Sequence, residues 1–147
     1  MENVGTLVSD VARLLRRAFD ERARDLGMTR PQWQVLSLLS RHQGINQGGL
    51  ADLLEVEPIT LCRMIDRLQE AGLVERRRDP ADRRAWRLFL SDKAYALLDE
   101  LRPVADEMLE ATLEGLTEEE RGILVGALDR MRQNLSRKPP NPLVANG

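Results

Sequence analysis

The stretch from Leu50 to Leu90 restricts what this chain can fold into more than any other part of it. It opens on a short apolar-rich run, Leu50-Ala51-Asp52-Leu53-Leu54, followed by the turn Glu55-Val56-Glu57 and then Pro58. Proline suits the first position of a helix, because its missing amide hydrogen has no partner to find there. On the helix that follows, three- and four-residue spacing puts Leu61, Met64, Ile65 and Leu68 on one side and Ile59, Thr60, Arg63 and Arg67 on the other. One face can be buried while the other stays free. Gly72 then stops the helix, and strands are predicted over Leu73 to Arg77 and Trp86 to Leu90, with Leu88 and Leu90 pointing inward. Between them lies a polar loop, Asp79-Pro80-Ala81-Asp82-Arg83-Arg84.

A helix, a turn, a second helix and an arginine-tipped hairpin, in that order, predict a mainly α fold. It is a winged helix-turn-helix with a small β-hairpin wing and with N- and C-terminal dimerisation helices. Such a module can put a helix into a major groove and a cationic loop into the adjacent minor groove. The flanks fit this frame. A first helix is expected from near Asn3 to about Arg24, with Val4, Leu7, Val8, Val11, Leu14, Leu15, Ala18 and Phe19 forming one stripe before Gly27. Thr29, Pro31 and Gln32 form a near capping box for a second helix carrying Trp33, Leu36, Leu38 and Leu39. Asn46 caps a third, short helix. Ser91 caps a helix that reaches Leu113 with a kink or break near Pro103, and Thr117 with Glu120 opens a last helix through Leu135.

The terminal helices carry more apolar length than a small winged core can cover. Packing across a two-fold axis would bury it and make a homodimer, and packing onto the core of the same chain is the alternative. The domain expectation is 1–28 as an N-terminal dimerisation helix and 29–91 as the winged module. Residues 92–136 supply C-terminal dimerisation helices, and 137–147, with three prolines, form a disordered tail.

Charge does not argue against nucleic acid, although the net value is −2. Arg63, Arg67, Arg76, Arg77, Arg78, Arg83, Arg84 and Arg87 crowd the centre, and acidic residues dominate the stretch after it. Phosphate responds to the local field, so a basic centre between acidic flanks is compatible with double-stranded DNA. A solvated salt-bridge surface is the alternative reading. Other classes find no support. A single cysteine, Cys62, excludes an internal disulfide. His42 is the only histidine, and no Cys/His/carboxylate cluster has ligand spacing, so neither a metal nor a cofactor is expected. There is no nucleophile–base set and no glycine-rich phosphate loop, so no enzyme and no catalytic residue is expected. No signal-like start or long apolar run is present, which points to a cytoplasmic protein without membrane contact.

With these residues set out, the chain resembles the MarR family of bacterial winged-helix transcription regulators. The resemblance runs from Leu26-Gly27-Met28-Thr29 and Gln32-Trp33 through the last helix. It is sharpest in Arg67-Leu68-Gln69-Glu70-Ala71-Gly72-Leu73-Val74 and in Asp79-Pro80-Ala81-Asp82-Arg83-Arg84-Ala85. It implies a triangular two-fold dimer on pseudo-palindromic operators, usually a repressor released by a small organic acid, often aromatic, or by oxidation. Glu57 departs from the small polar residues more usual before the recognition helix, and Ala94 stands where glycine is common.

The candidate DNA-binding residues follow. Arg83, near the wing tip, is the candidate for minor-groove insertion, since a guanidinium suits the negative potential of a narrow A·T-rich groove. By resemblance, Asp82 and Arg84 brace that loop. Thr60, Arg63 and Arg67 are candidates for base edges or phosphates in the major groove. By resemblance again, a small-molecule effector would bind between the dimer helices and the winged core. Arg16, Arg17, Trp33 and residues of the post-wing helix would line that site, an arginine pairing with an effector carboxylate. Cys62 allows a redox-responsive alternative, although a small structural cysteine is the simpler reading. A winged helix used only for protein contact is the other alternative.

Overall fold

The computed structural model describes residues 2–136. The order of elements is α1 (Val4–Asp25), α2 (Arg30–Arg41), α3 (Gln47–Leu54), α4 (Pro58–Glu70), β1 (Val74–Arg78), β2 (Trp86–Leu90), α5 (Asp92–Thr112) and α6 (Glu118–Ser136). The expected tail, 137–147, lies outside the described residues. The chain divides into two compact units, one running to Met108 and one from Leu109, with the boundary inside α5.

Helix starts in the first unit follow from local hydrogen bonding. The Asn3 side chain accepts from the amide of Thr6, and Asn46 accepts from Gly49 at 2.7 Å. Thr29 and Gln32 close a reciprocal capping box on α2. Each of these bonds satisfies an amide that the helix itself leaves without a partner. The Ser91 hydroxyl accepts from the amide of Ala94 and donates to the carbonyl of Gly72 at 2.6 Å, so one side chain caps α5 and ties it to the end of α4.

The core of this unit is aliphatic, as an aromatic content of 3% requires. Val35, Leu36 and Leu39 from α2, Leu50 from α3, and Leu61, Ile65 and Leu68 from α4 are buried together with Leu88 and Leu90 of β2. Phe19 and Ala23 of α1 and Ala94 and Leu101 of α5 belong to the same cluster. The inner face of α4 is the one that three- and four-residue spacing selects, with Met64 only half-buried.

The wing is a two-stranded antiparallel hairpin whose register pairs Val74 with Leu90 and Arg78 with Trp86. Its first strand starts one residue later than the sequence predicts. The Leu73 amide donates to the carbonyl of Leu68, which keeps Leu73 in the turn that ends α4. That turn needs Gly72, whose φ of +75° is the left-handed region where a side chain is strained. The root of β2 is held from its other edge. The amide of Gly44 donates to Leu88, and the amide of Leu88 donates to Ile45. Pro103 does not break α5, which continues through it to Thr112. Proline removes a bond to the Asp99 carbonyl, a local loss that the rest of the helix tolerates.

In the second unit, Thr117 and Glu120 form the expected capping pair, at 2.9 and 3.2 Å, and α6 follows. Arg121 donates to the Glu110 carboxylate and to the carbonyls of Leu113 and Leu116, which folds the connecting turn. Among the described residues, none of α6 is buried.

The central position of α4 in the core gives a direct expectation. Leu61→Ala should lower stability by about 2–5 kcal/mol, the loss of a fully buried leucine plus the cavity it leaves. Urea unfolding followed by circular dichroism measures it.

Candidate nucleic-acid interface

The outer face of α4 is built by default. Its inner residues are committed to the core, so Ile59, Thr60, Arg63 and Arg67 are left exposed. Glu57 occupies the N-cap position but makes no side-chain cap bond. The first intrahelical bond runs from the Leu61 amide to the Glu57 carbonyl. The amides before it therefore have no partner in the helix, and the positive end of the helix dipole is open to an anion.

The wing loop is organised by Asp79. One carboxylate oxygen accepts from the amides of Ala81 and Asp82 at 2.8 and 3.3 Å, and the other accepts from the Arg87 Nε at 3.0 Å. Asp82 in turn accepts from the Arg84 amide at 2.9 Å. The brace across the hairpin is thus the Asp79–Arg87 ion pair, with Asp82 acting only within the tip. The amide of Ala81 and the guanidinium of Arg87 hold the Asp79 carboxyl below the usual carboxylate range.

The eight arginines of the central stretch separate into two groups. Arg76, with a side chain only 13% exposed, pairs with Asp66 at 2.6 Å. It also donates to Gln47, Gln69 and the Cys62 carbonyl, which joins β1 to α3 and α4. Arg77 pairs with Glu75 and lies over the Phe89 ring. Arg78 lies over Trp86 and donates to the Arg83 carbonyl. Arg87 holds Asp79. Among the described residues, the side chains of Arg63, Arg67, Arg83 and Arg84 have no hydrogen-bond, ion-pair or ring partner. The salt-bridge reading holds for Arg76, Arg77 and Arg87, while Arg78 is held by a ring and a carbonyl and the other four are outside it. Thr60 is exposed beside Arg63.

Sequence reasoning named the four unpaired arginines but not the internal clamp. A signal for Arg76 existed. It stands two residues from the buried Val74 and therefore on the inward side of a strand. Asp79 before Pro80 was likewise a turn-forming pair whose carboxylate reaches its own backbone.

The residues expected around an effector are not gathered in one place. The Trp33 ring meets Phe19 edge to face at 4.6 Å, and its indole N–H donates to Asp20 at 2.8 Å. Asp20 also pairs with Arg30. Burial pushes the Asp20 carboxyl up, but the bonds from Arg30 and Trp33 outweigh it and hold the group below its ordinary value. Arg17 lines a cleft of about 570 Å³ with Arg24 and with the same Asp20 and Arg30. Arg16 is exposed on α1. A cavity of about 330 Å³ lies beside Phe19 and Ser37, with Tyr95, Leu98, Leu101 and Arg102 of α5 around it. Among the described residues no group of His, Cys, Asp and Glu could hold a metal ion. No described helix is long and apolar enough to cross a membrane.

This architecture is that of a winged helix-turn-helix, and comparison with known proteins narrows it further. The model of the MarR family matches residues 28–86. The uncharacterized HTH-type transcriptional regulator YybA of Bacillus subtilis (strain 168) is 28% identical over 137 residues, covering 93% of this chain and 91% of that protein. The crystal structure of a MarR transcriptional regulator from Methanosarcina mazei Go1 is 30% identical with a TM-score of 0.78, covering 89% of this chain and 94% of that one. A MarR fold from Listeria monocytogenes, crystallised with a 26mer DNA, superposes with a TM-score of 0.78 at 24% identity, covering 92% and 90%. The chain belongs to the MarR family of transcription regulators.

The Asp79 brace has a pH signature. A carboxyl whose folded value is depressed contributes fully above its unfolded value, about 3.9, and loses that contribution as pH falls through the lower folded value. The amide resonance of Ala81 should therefore hold its position from neutral pH down to about pH 4 and move only below it. Asp79→Asn should abolish that step.

Proposed function

We propose that this protein binds a pseudo-palindromic DNA operator as a homodimer and acts as a repressor released by a small organic-acid effector. In this reading 29–91 is the DNA-binding module and 1–28 and 92–136 supply the dimer helices. The observation that carries it is the set of four arginines without partners among the described residues, two on the outer face of α4 and two at the wing tip. Four exposed cations left free in a chain of net charge −2 are a phosphate-binding feature rather than a stabilising one. The Listeria neighbour, of the same fold, is bound to DNA.

Under this proposal Arg63, with Thr60 beside it, addresses base edges, Arg67 a base or phosphate, and Arg83 a minor groove flanking the site. Arg84 adds charge at the tip, and Asp82 shapes it through the Arg84 amide. Two-fold symmetry would place the half-sites about 10 base pairs apart.

In this reading dimerisation rests on apolar surface that is exposed among the described residues. Val4 is 60% exposed on α1, with Leu7, Val8, Val11 and Leu14 exposed along the same helix. On α6, Ile123 and Val125 are 65% and 67% exposed, and Leu124, Leu128 and Leu135 are exposed with them. Stripes of this length are covered in a stable fold, and a second copy is the partner of matching chemistry. For the effector, the cavity beside Phe19 and Tyr95 has the size and mixed lining of a small-molecule site, with Arg102 at its edge as a carboxylate partner. Trp33 acts there through Phe19, and Arg16 and Arg17 are solvent-side candidates.

Fluorescence anisotropy with the protein's own promoter region tests DNA binding. Affinity should fall steeply with salt, by about 0.9 log units per phosphate contact for each decade. Arg63→Ala should relax sequence preference by about 1–3 kcal/mol at one position of each half-site. Arg83→Ala should weaken binding broadly and leave the major-groove preference in place. A flat salt response would instead indicate a protein-interaction module. In sedimentation, the wild type should run as a dimer of 16.7 kDa chains, and Val8→Glu should shift it toward monomer.

A further inference from the structure

The outer face of α4 carries one residue that charge does not explain. Ile59 is 63% exposed in the first turn of the helix, one residue before Thr60 and one helical turn before Arg63. A β-branched aliphatic side chain in that position contributes nothing to the core, whose α4 members are Leu61, Ile65 and Leu68. It also adds nothing to helix propensity over the charged or small residues that an exposed first turn favours. Its neighbours before it are Glu57, with no cap bond, and Pro58, so the turn presents its amides and this one apolar group together.

We propose that Ile59 is a specificity-determining residue that packs against the C5-methyl of a thymine in the major groove. This deepens the function proposed above and rests on α4 being the groove-entering helix. The chemistry is specific. In the major groove the thymine methyl is the one apolar group among hydrogen-bonding base edges, and an aliphatic side chain is its complement. The N-terminal turn of a recognition helix is the part that meets base edges. Arg63, four residues on, lies on the same row of the helix surface, which puts a bidentate donor for guanine next to an apolar contact for thymine. Each protomer would then read a thymine and a nearby guanine through adjacent side chains.

The test removes the methyl from the DNA rather than from the protein. A binding duplex is first selected from a random-sequence pool with the full-length protein, and each of its thymines is then replaced singly by uracil. At one thymine in each half-site, uracil should weaken wild-type binding about three- to fivefold, the effect of one lost buried methyl. Ile59→Ala should bind the thymine duplex with at least that loss and show no further loss on the uracil duplex. Thr60→Ser, which deletes the adjacent methyl and keeps the hydroxyl, should retain the uracil response. Three results would overturn the assignment while leaving DNA binding intact. They are salt-dependent binding indifferent to uracil at every thymine, a uracil loss of equal size in Ile59→Ala, and a response abolished by Thr60→Ser instead. Failure to bind any duplex in a salt-dependent way would overturn the proposed function and this assignment together.

Discussion

One guanidinium sets the relation between the two parts of this module that could meet DNA. Arg76 leaves β1 at the base of the wing and reaches Gln47 at the start of α3, together with the Cys62 carbonyl, Asp66 and Gln69 along α4. A planar group with five donors in a fixed fork can bind several acceptors only if they are held in one arrangement. Hydrophobic burial around Leu61, Ile65 and Leu88 brings these elements together, but such contacts are tolerant of small shifts. The directional bonds of Arg76 select one angle between α4 and the hairpin. They also pair the Asp66 carboxylate of α4 with a cation from the wing.

The remaining arginines make sense against that clamp. Arg77, Arg78 and Arg87 are engaged within the hairpin by a carboxylate, by aromatic rings or by a carbonyl, and they stiffen it. Trp86 and Phe89 are scarce aromatics in this chain, and both are spent as surfaces for guanidinium groups. With the wing stiffened from within, the side chains of the arginines at its tip stay free of partners among the described residues. Under the proposed function, a charge kept free in this way would lose no internal contact on meeting a phosphate, so more of the attraction would remain as binding. The same logic applies to α4, whose outer face is free because its inner face is fully committed.

Much of this was legible in the chain. Helix starts were marked by Asn3, Thr29, Asn46, Ser91 and Thr117, because capping is a bond between residues three apart and needs no tertiary information. The exposed arginines of α4 and the wing tip were also legible, from helical spacing and from their place in a turn. The clamp was harder to read. Arg76 sits in a run of three arginines, and only strand alternation separates it from its neighbours. Trp33 has a contact of the kind that only tertiary packing decides. Its ring is half-buried as expected, but its N–H is taken by Asp20, a residue thirteen positions away that no local pattern connects to it.

Periodicity and capping by themselves determined which segments are helices, which face of each is apolar and where the cationic tip falls. Those features depend on neighbours within about one helical turn, so the linear order of residues contains them. Which arginines turn inward, where α4 lies against the hairpin root, and which side chains surround the cavity beside Phe19 were decided only when distant segments packed. Arg76 meets Gln47, and Phe19 and Tyr95 come to line one cavity, across long stretches of chain. Their geometry comes from the filling of a common core, which no local rule encodes.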